Sequence, residues 1–90
     1  MNTLTFRLLE VFQQVVDCGS VTAASNALQL SQPTVSLQLK KLNSIIGLPL
    51  IEHFQGSVQL TEAGAAVYRC AQEILSSQDK LKSQISALQG

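Results

Sequence analysis

The chain has 90 residues, 46% of them hydrophobic, 4% aromatic and 13% charged, and its six basic and six acidic side chains cancel to zero formal charge. That length supports one domain with one modest core, so help from a metal, a disulfide or a partner subunit is expected. Neutrality argues against a strongly basic nucleic-acid binder, and no apolar run approaches the ~18 residues of a membrane span.

Residues 4–17 place Leu4, Leu8, Val11 and Val15 at helical spacing, with Phe6, Leu9, Phe12 and Val16 widening the stripe. This pattern predicts a helix with most of its girth buried. Gly19 supplies a stop, and Ser20 offers a hydroxyl to cap a second, short helix through Leu28. Gln29 and Leu30 make a brief turn, and Ser31 is the next cap. Pro33 fits the first turn of the helix that follows, because an N–H there would have no intrahelical partner. Val35, Leu39, Leu42 and Ile46 then form an inward stripe that Gly47 ends.

Residues 48–61 alternate around Gln55-Gly56-Ser57, which predicts a small hairpin, with Pro49 suited to an edge strand. Thr61 caps a last helix, and Glu62 sits favourably against its dipole. Val67, Cys70, Ile74, Leu81 and Leu88 follow heptad spacing there, with Ile85 alongside. A long helix of this pattern cannot bury its seam alone, so a homodimer paired through these residues is expected.

Two short helices joined by a tight turn, the second apolar inside and polar outside, describe a helix-turn-helix. The face opposite Val35 and Leu42 carries Pro33, Leu37, Lys40 and Ser44, flanked by Thr34, Ser36 and Lys41. That face would enter a major groove, with Gln32, Thr34 and Ser36 reaching base edges or phosphates and the free N–H groups of both capped helices holding phosphate oxygens. Between Cys18 and Ile51 there is no Asp or Glu, while Lys40 and Lys41 lie inside, so this window is locally positive within a neutral chain. Leu37 has two readings, an ordinary exposed leucine or a partner for a thymine methyl.

His53 has no second ligand type near it, so no metal is expected, and no cofactor, small-molecule site or catalytic constellation is read from the remaining residues. The spacing of Cys18 and Cys70 leaves a disulfide open; both thiols are read as small buried hydrophobes in a reducing cytosol. With neither a charged leader nor a membrane span, the chain is read as soluble and cytoplasmic.

Phe12, then "DCGSVTAASNALQLSQPTVSLQLKKL" and "GLPLIEHFQGSVQLTEAG", resemble the amino-terminal domain of LysR-type transcriptional regulators from about Phe6 to Gly64. The helix that follows resembles that family's linker helix. The Gly-Ser before an Ala-Ala pair, the Ser-Gln-Pro opening, Ser36, Leu42, the Gly-x-Pro-Leu corner and Leu-Thr-Glu-Ala-Gly all fall at family spacing. The resemblance implies a mainly α fold: a winged helix-turn-helix, with a three-helix core and a small β-hairpin, followed by a long dimerisation helix. Its domain would span 4–61, with the helix-turn-helix at about 21–40 and the wing at about 49–60, and the linker helix would span 62–90.

By position, Gln32, Pro33, Ser36 and Leu37 match the family's base and backbone contacts. His53 and the hairpin of Gln55, Ser57 and Gln59 match its wing contacts. Family members commonly carry Arg at the positions of Leu37 and His53, a basic wing residue, Glu at Asn43 and Phe at Ile51. The family also has a carboxy-terminal effector-binding domain, which this chain lacks, so a fragment is implied; a naturally short regulator is the alternative. The function implied is sequence-specific binding of a partly palindromic double-stranded DNA site by a dimer that regulates transcription. The rival, suggested by neutrality and the missing arginines, is a helical interaction module that heterodimerises with related regulators and binds DNA weakly.

Overall fold

The computed structural model describes residue 1 and residues 3–90. Helix α1, Phe6–Cys18, starts two positions after Leu4 because Thr5 takes the cap, its hydroxyl accepting the Leu8 N–H at 3.2 Å. Leu4 lies ahead of the helix and still packs against the core edge. Gly19, in the left-handed region at φ +82°, ends α1 by donating its N–H to the Val15 carbonyl at 3.0 Å. The expectation that Phe6 widens the buried stripe is not met, since it is 54% exposed. It precedes Leu8 by two residues, about 200° around the helix, and so faces away from the core.

Helix α2, Val21–Leu28, is capped by Ser20 and buries Ala24 and Ser25. The buried Ser25 hydroxyl donates to the Thr22 carbonyl at 2.8 Å, so its burial leaves no orphan polar group. Gln29 turns the chain at φ 57°, and α3, Gln32–Ile46, follows with Ser31 as cap and Pro33 in its first turn. Gly47 closes α3 by donating to the Asn43 carbonyl at 2.8 Å.

Strands β1, Ile51–Phe54, and β2, Ser57–Leu60, pair antiparallel with Ile51 opposite Leu60 and His53 opposite Val58. Gln55 and Gly56 both have positive φ, 50° and 79°, the tight hairpin geometry that matches strand twist. Thr61 then caps α4, Glu62–Gln89, by accepting the Gly64 N–H at 3.0 Å. Its hydroxyl also donates to the Pro49 carbonyl at 2.7 Å, which ties the helix start to the corner before the wing.

Helix α1 is the common wall of the core. Leu8 and Phe12 meet Leu42 of α3 and Leu50 of the corner, while Val11 and Val15 meet Ala24 of α2 and Val35 of α3. The first half of α4 closes the first of these clusters with Ala63, Val67 and Tyr68. The Tyr68 hydroxyl donates to the Asp17 carboxylate, bridging α4 and α1, and that bond holds the phenol above its ordinary pKa.

The cysteines depart from the sequence reading: both are free and exposed. Cys18 is the last residue of α1, and Cys70 lies one residue, about 100°, from the fully buried Ala71, so neither is turned into the core.

Candidate nucleic-acid interface

The inward stripe decides what α3 shows to solvent. Val35 and Leu42 are fully buried and Leu39 and Ile46 pack beside them. Gln32, Pro33, Ser36, Leu37, Lys40 and Lys41 are therefore left on the outside, and all six are exposed. Thr34 is half-buried, and its hydroxyl is held 2.8 Å from that of Ser31, which also accepts the Thr34 N–H at 3.3 Å. Ser31 and Thr34 thus maintain the helix start, and Gln32 and Ser36, one turn apart, form its free polar ridge.

Lys40 and Lys41 follow Ser36 and Leu37 by one further turn. Among the described residues the one salt bridge joins Arg7 and Glu10, so both lysine charges are uncommitted. With no acid from Cys18 to Ile51, neither helix of the motif opposes a phosphate.

The wing is less uniform. His53, Gln55, Ser57 and Gln59 are all exposed. The register places His53 with Ile51, Val58 and Leu60 on one face of the hairpin, and Ser57 and Gln59 on the other with Glu52 and Phe54. Gln55 stands at the tip. These four residues thus do not share one face, and Gln59 lies nearer the base of the hairpin, opposite Glu52. Phe54, 57% exposed beside the tip, is a wing residue that the sequence reading misses; its alternation in phase with Glu52 is the signal that could find it.

The proposed seam of α4 divides into two parts. Val67 packs against the chain's own core, and Ile74 is half-buried. Cys70 is exposed, and every residue from Asp79 to Gly90 is exposed, including Leu81 at 56%, Ile85 at 44% and Leu88 at 82%. Phe6 joins Ile74 and Leu81 along a groove between the start of α1 and α4. The end of α4 therefore projects beyond the globular part, giving the molecule a 49 Å long axis against 27 and 20 Å.

Among the described residues no group of three or more His, Cys, Asp or Glu side chains gathers as a metal site would require, and no helix is long and apolar enough to cross a membrane. Two capped helices meeting through a tight turn, the second displaying a free outer edge and followed by a two-stranded wing, define a winged helix-turn-helix.

The chain belongs to the lysR family of bacterial regulatory helix-turn-helix proteins, whose family model matches residues 6–65. It is 43% identical over 90 residues to the HTH-type transcriptional activator CmpR of Synechocystis sp., covering all of this chain and 30% of that protein. It superposes on the DNA-binding domain of BenM in its catB site 1 DNA complex with a TM-score of 0.90 at 30% identity, over 94% of this chain and 96% of that one. The LysR family regulator CbnR gives a TM-score of 0.87 at 31% identity, over 93% of this chain and 29% of that one. The chain thus spans under a third of the length of CmpR and CbnR.

Proposed function

We propose that this chain is the DNA-binding and dimerising part of a transcriptional regulator. It would bind a partly palindromic duplex with one α3 in each of two major-groove segments and each wing near the adjacent backbone or minor groove. Residues 4–61 form the reading domain, and residues 62–90 the helix that joins two copies. The observation that carries this reading is the outer edge of α3: Gln32, Pro33, Ser36 and Leu37 stand exposed at the start of a helix fixed by its own cap, with two free lysines one turn on and no acid in the motif. The likeness to a domain crystallised on DNA supports it.

Titrating the chain against duplexes across a salt series tests this. A DNA binder weakens steadily as salt rises, because each neutralised phosphate releases counterions. Flat, negligible binding at low salt from a folded chain would leave the heterodimerising interaction module instead, the reading favoured by a wing that contains no Lys or Arg.

Single substitutions divide the roles. Gln32→Ala and Ser36→Ala are expected to relax sequence preference, by about 1 to 3 kcal/mol of discrimination at the base pair concerned. Lys40→Ala and Lys41→Ala should weaken all duplexes about equally and lower the salt slope by about 1 for each phosphate that is no longer neutralised. Binding to a matched and a scrambled duplex at three salt concentrations separates the two classes. Unchanged affinity and preference in Gln32→Ala would remove α3 as the reader.

A further inference from the structure

Two ridges run side by side along the outer edge of α3, each advancing by one turn. One is polar, Gln32 and Ser36. The other is Pro33 and Leu37, and neither of those side chains can donate or accept a hydrogen bond. Leu37 is 53% exposed at the second turn, and the first charge beyond it is Lys40. Its position two residues from the fully buried Val35, about 200° around the helix, turns it away from the chain's own core.

We propose that Leu37 reads the C5-methyl group of a thymine, and so makes the half-site A·T-selective at the base pair beneath the second turn of α3. This rests on the reading of α3 as the major-groove helix and adds what that helix selects. Exclusion matters as much as attraction. In the major groove, guanine presents two acceptors, cytosine an amino donor, and adenine an acceptor and a donor; thymine alone presents a methyl group. A leucine pressed on the first three strips water from polar atoms and returns no hydrogen bond. Pressed on thymine it removes an exposed apolar side chain and a methyl group from water together. The O4 atom of the same thymine remains open to water or to a hydroxyl such as that of Ser36. Pro33, one turn earlier, extends the donor-free stretch, and the next donor on that ridge is Lys41, a full turn beyond Leu37, so the base pair directly beneath Leu37 meets only apolar side chains from it.

The test needs no knowledge of the natural target. A preferred duplex is first selected from a randomised pool with the 90-residue chain. Each thymine is then replaced singly by deoxyuridine, which removes the methyl and leaves every hydrogen-bonding group in place. One thymine per half-site is expected to weaken wild-type binding by about fourfold on this replacement, the worth of one buried methyl group. In Leu37→Ala, whose fold should be unaffected because the side chain is exposed, the same replacement should have no effect. Leu37→Arg should move the preference at that base pair toward guanine, which arginine pairs with in bidentate fashion.

Equal wild-type binding to every deoxyuridine duplex would overturn the inference, as would a methyl effect that persists undiminished in Leu37→Ala. Either result, with sequence preference intact and still sensitive to Gln32→Ala, leaves α3 as the reader and removes only the role of Leu37. Failure to select any preferred duplex overturns both.

Discussion

Gly64→Ala is expected to destabilise the chain by about 3 kcal/mol or more, the upper range of overpacking costs, measured as a lower midpoint in urea denaturation. A Cβ at this position would stand 1.8 Å from the Leu50 carbonyl oxygen and 2.8 Å from its carbon, both backbone atoms that cannot rotate away. The oxygen is also held in place, because it accepts the Thr61 N–H at 3.1 Å. Thr61 in turn fixes the helix start through its bond to the Pro49 carbonyl. The only relief is movement of α4 as a body, which would pull Ala63 and Val67 off the core beside Leu50.

The sign makes this prediction sharp. On an ordinary helix the same change gains about 1 kcal/mol from helix propensity. A variant more stable than the parent would show that α4 does not approach the corner so closely. The functional consequence follows from the same geometry: the wing and α4 leave the domain through this junction, so a shifted α4 also changes the spacing at which two copies present α3.

The second large effect concerns the free end of α4. Leu81→Asp combined with Leu88→Asp is expected to convert the dimer we propose into a monomer in sedimentation. It should weaken binding to a duplex with two half-sites by about a hundredfold or more, because engagement of the second half-site ceases to be intramolecular. Affinity for a single half-site should change little. These two positions are better probes than Ile74, which is half-buried, so that a charge there strains the monomer as well, whereas Leu81 and Leu88 are exposed.

The physical case for pairing is that residues 79–90 are all exposed yet helical almost to their end. A helical stretch of this length gains too little from its own hydrogen bonds to be more than marginal in water. Its apolar Leu81, Ile85 and Leu88 also remain uncovered in a single chain. A double variant that still sediments as a dimer would place the pairing surface elsewhere, and Phe6 and Ile74 would be the next residues to change.

Much of the molecule was legible in the sequence because much of it is decided locally. Thr61, Ser20 and Ser31 cap the helices assigned to them, and Gly19 and Gly47 end theirs in the left-handed conformation. A cap needs only a short polar side chain two or three residues from a free N–H, and a stop needs only a residue that tolerates positive φ. Pro33 took its place in the first turn for the same kind of reason. The outer edge of α3 followed directly, because an inward stripe at Val35 and Leu42 leaves one possible opposite face.

Other features depended on what each element meets. The α4 sequence carries two apolar stripes about 100° apart, one through Ala71 and Leu75 and one through Cys70 and Ile74, and periodicity does not say which belongs to the chain's own core. Packing buries Ala71, leaves Leu75 and Ile74 alike half-buried, and leaves Cys70 exposed. In the wing, alternation assigns side chains to two faces but does not say how far along each strand the core reaches: Val58 packs against it, while His53 opposite stays exposed.

The sequence by itself determined where α2 and α3 begin and end, which face of α3 turns inward, and that no acid lies in the motif, because each follows from spacing along one element. Only the tertiary structure decided that Gly64 lies against the Leu50 carbonyl, that Phe6 and both cysteines face out, and that α4 runs free beyond residue 78. Those are relations between elements, set by the distance and angle at which one backbone approaches another, and no single segment encodes them.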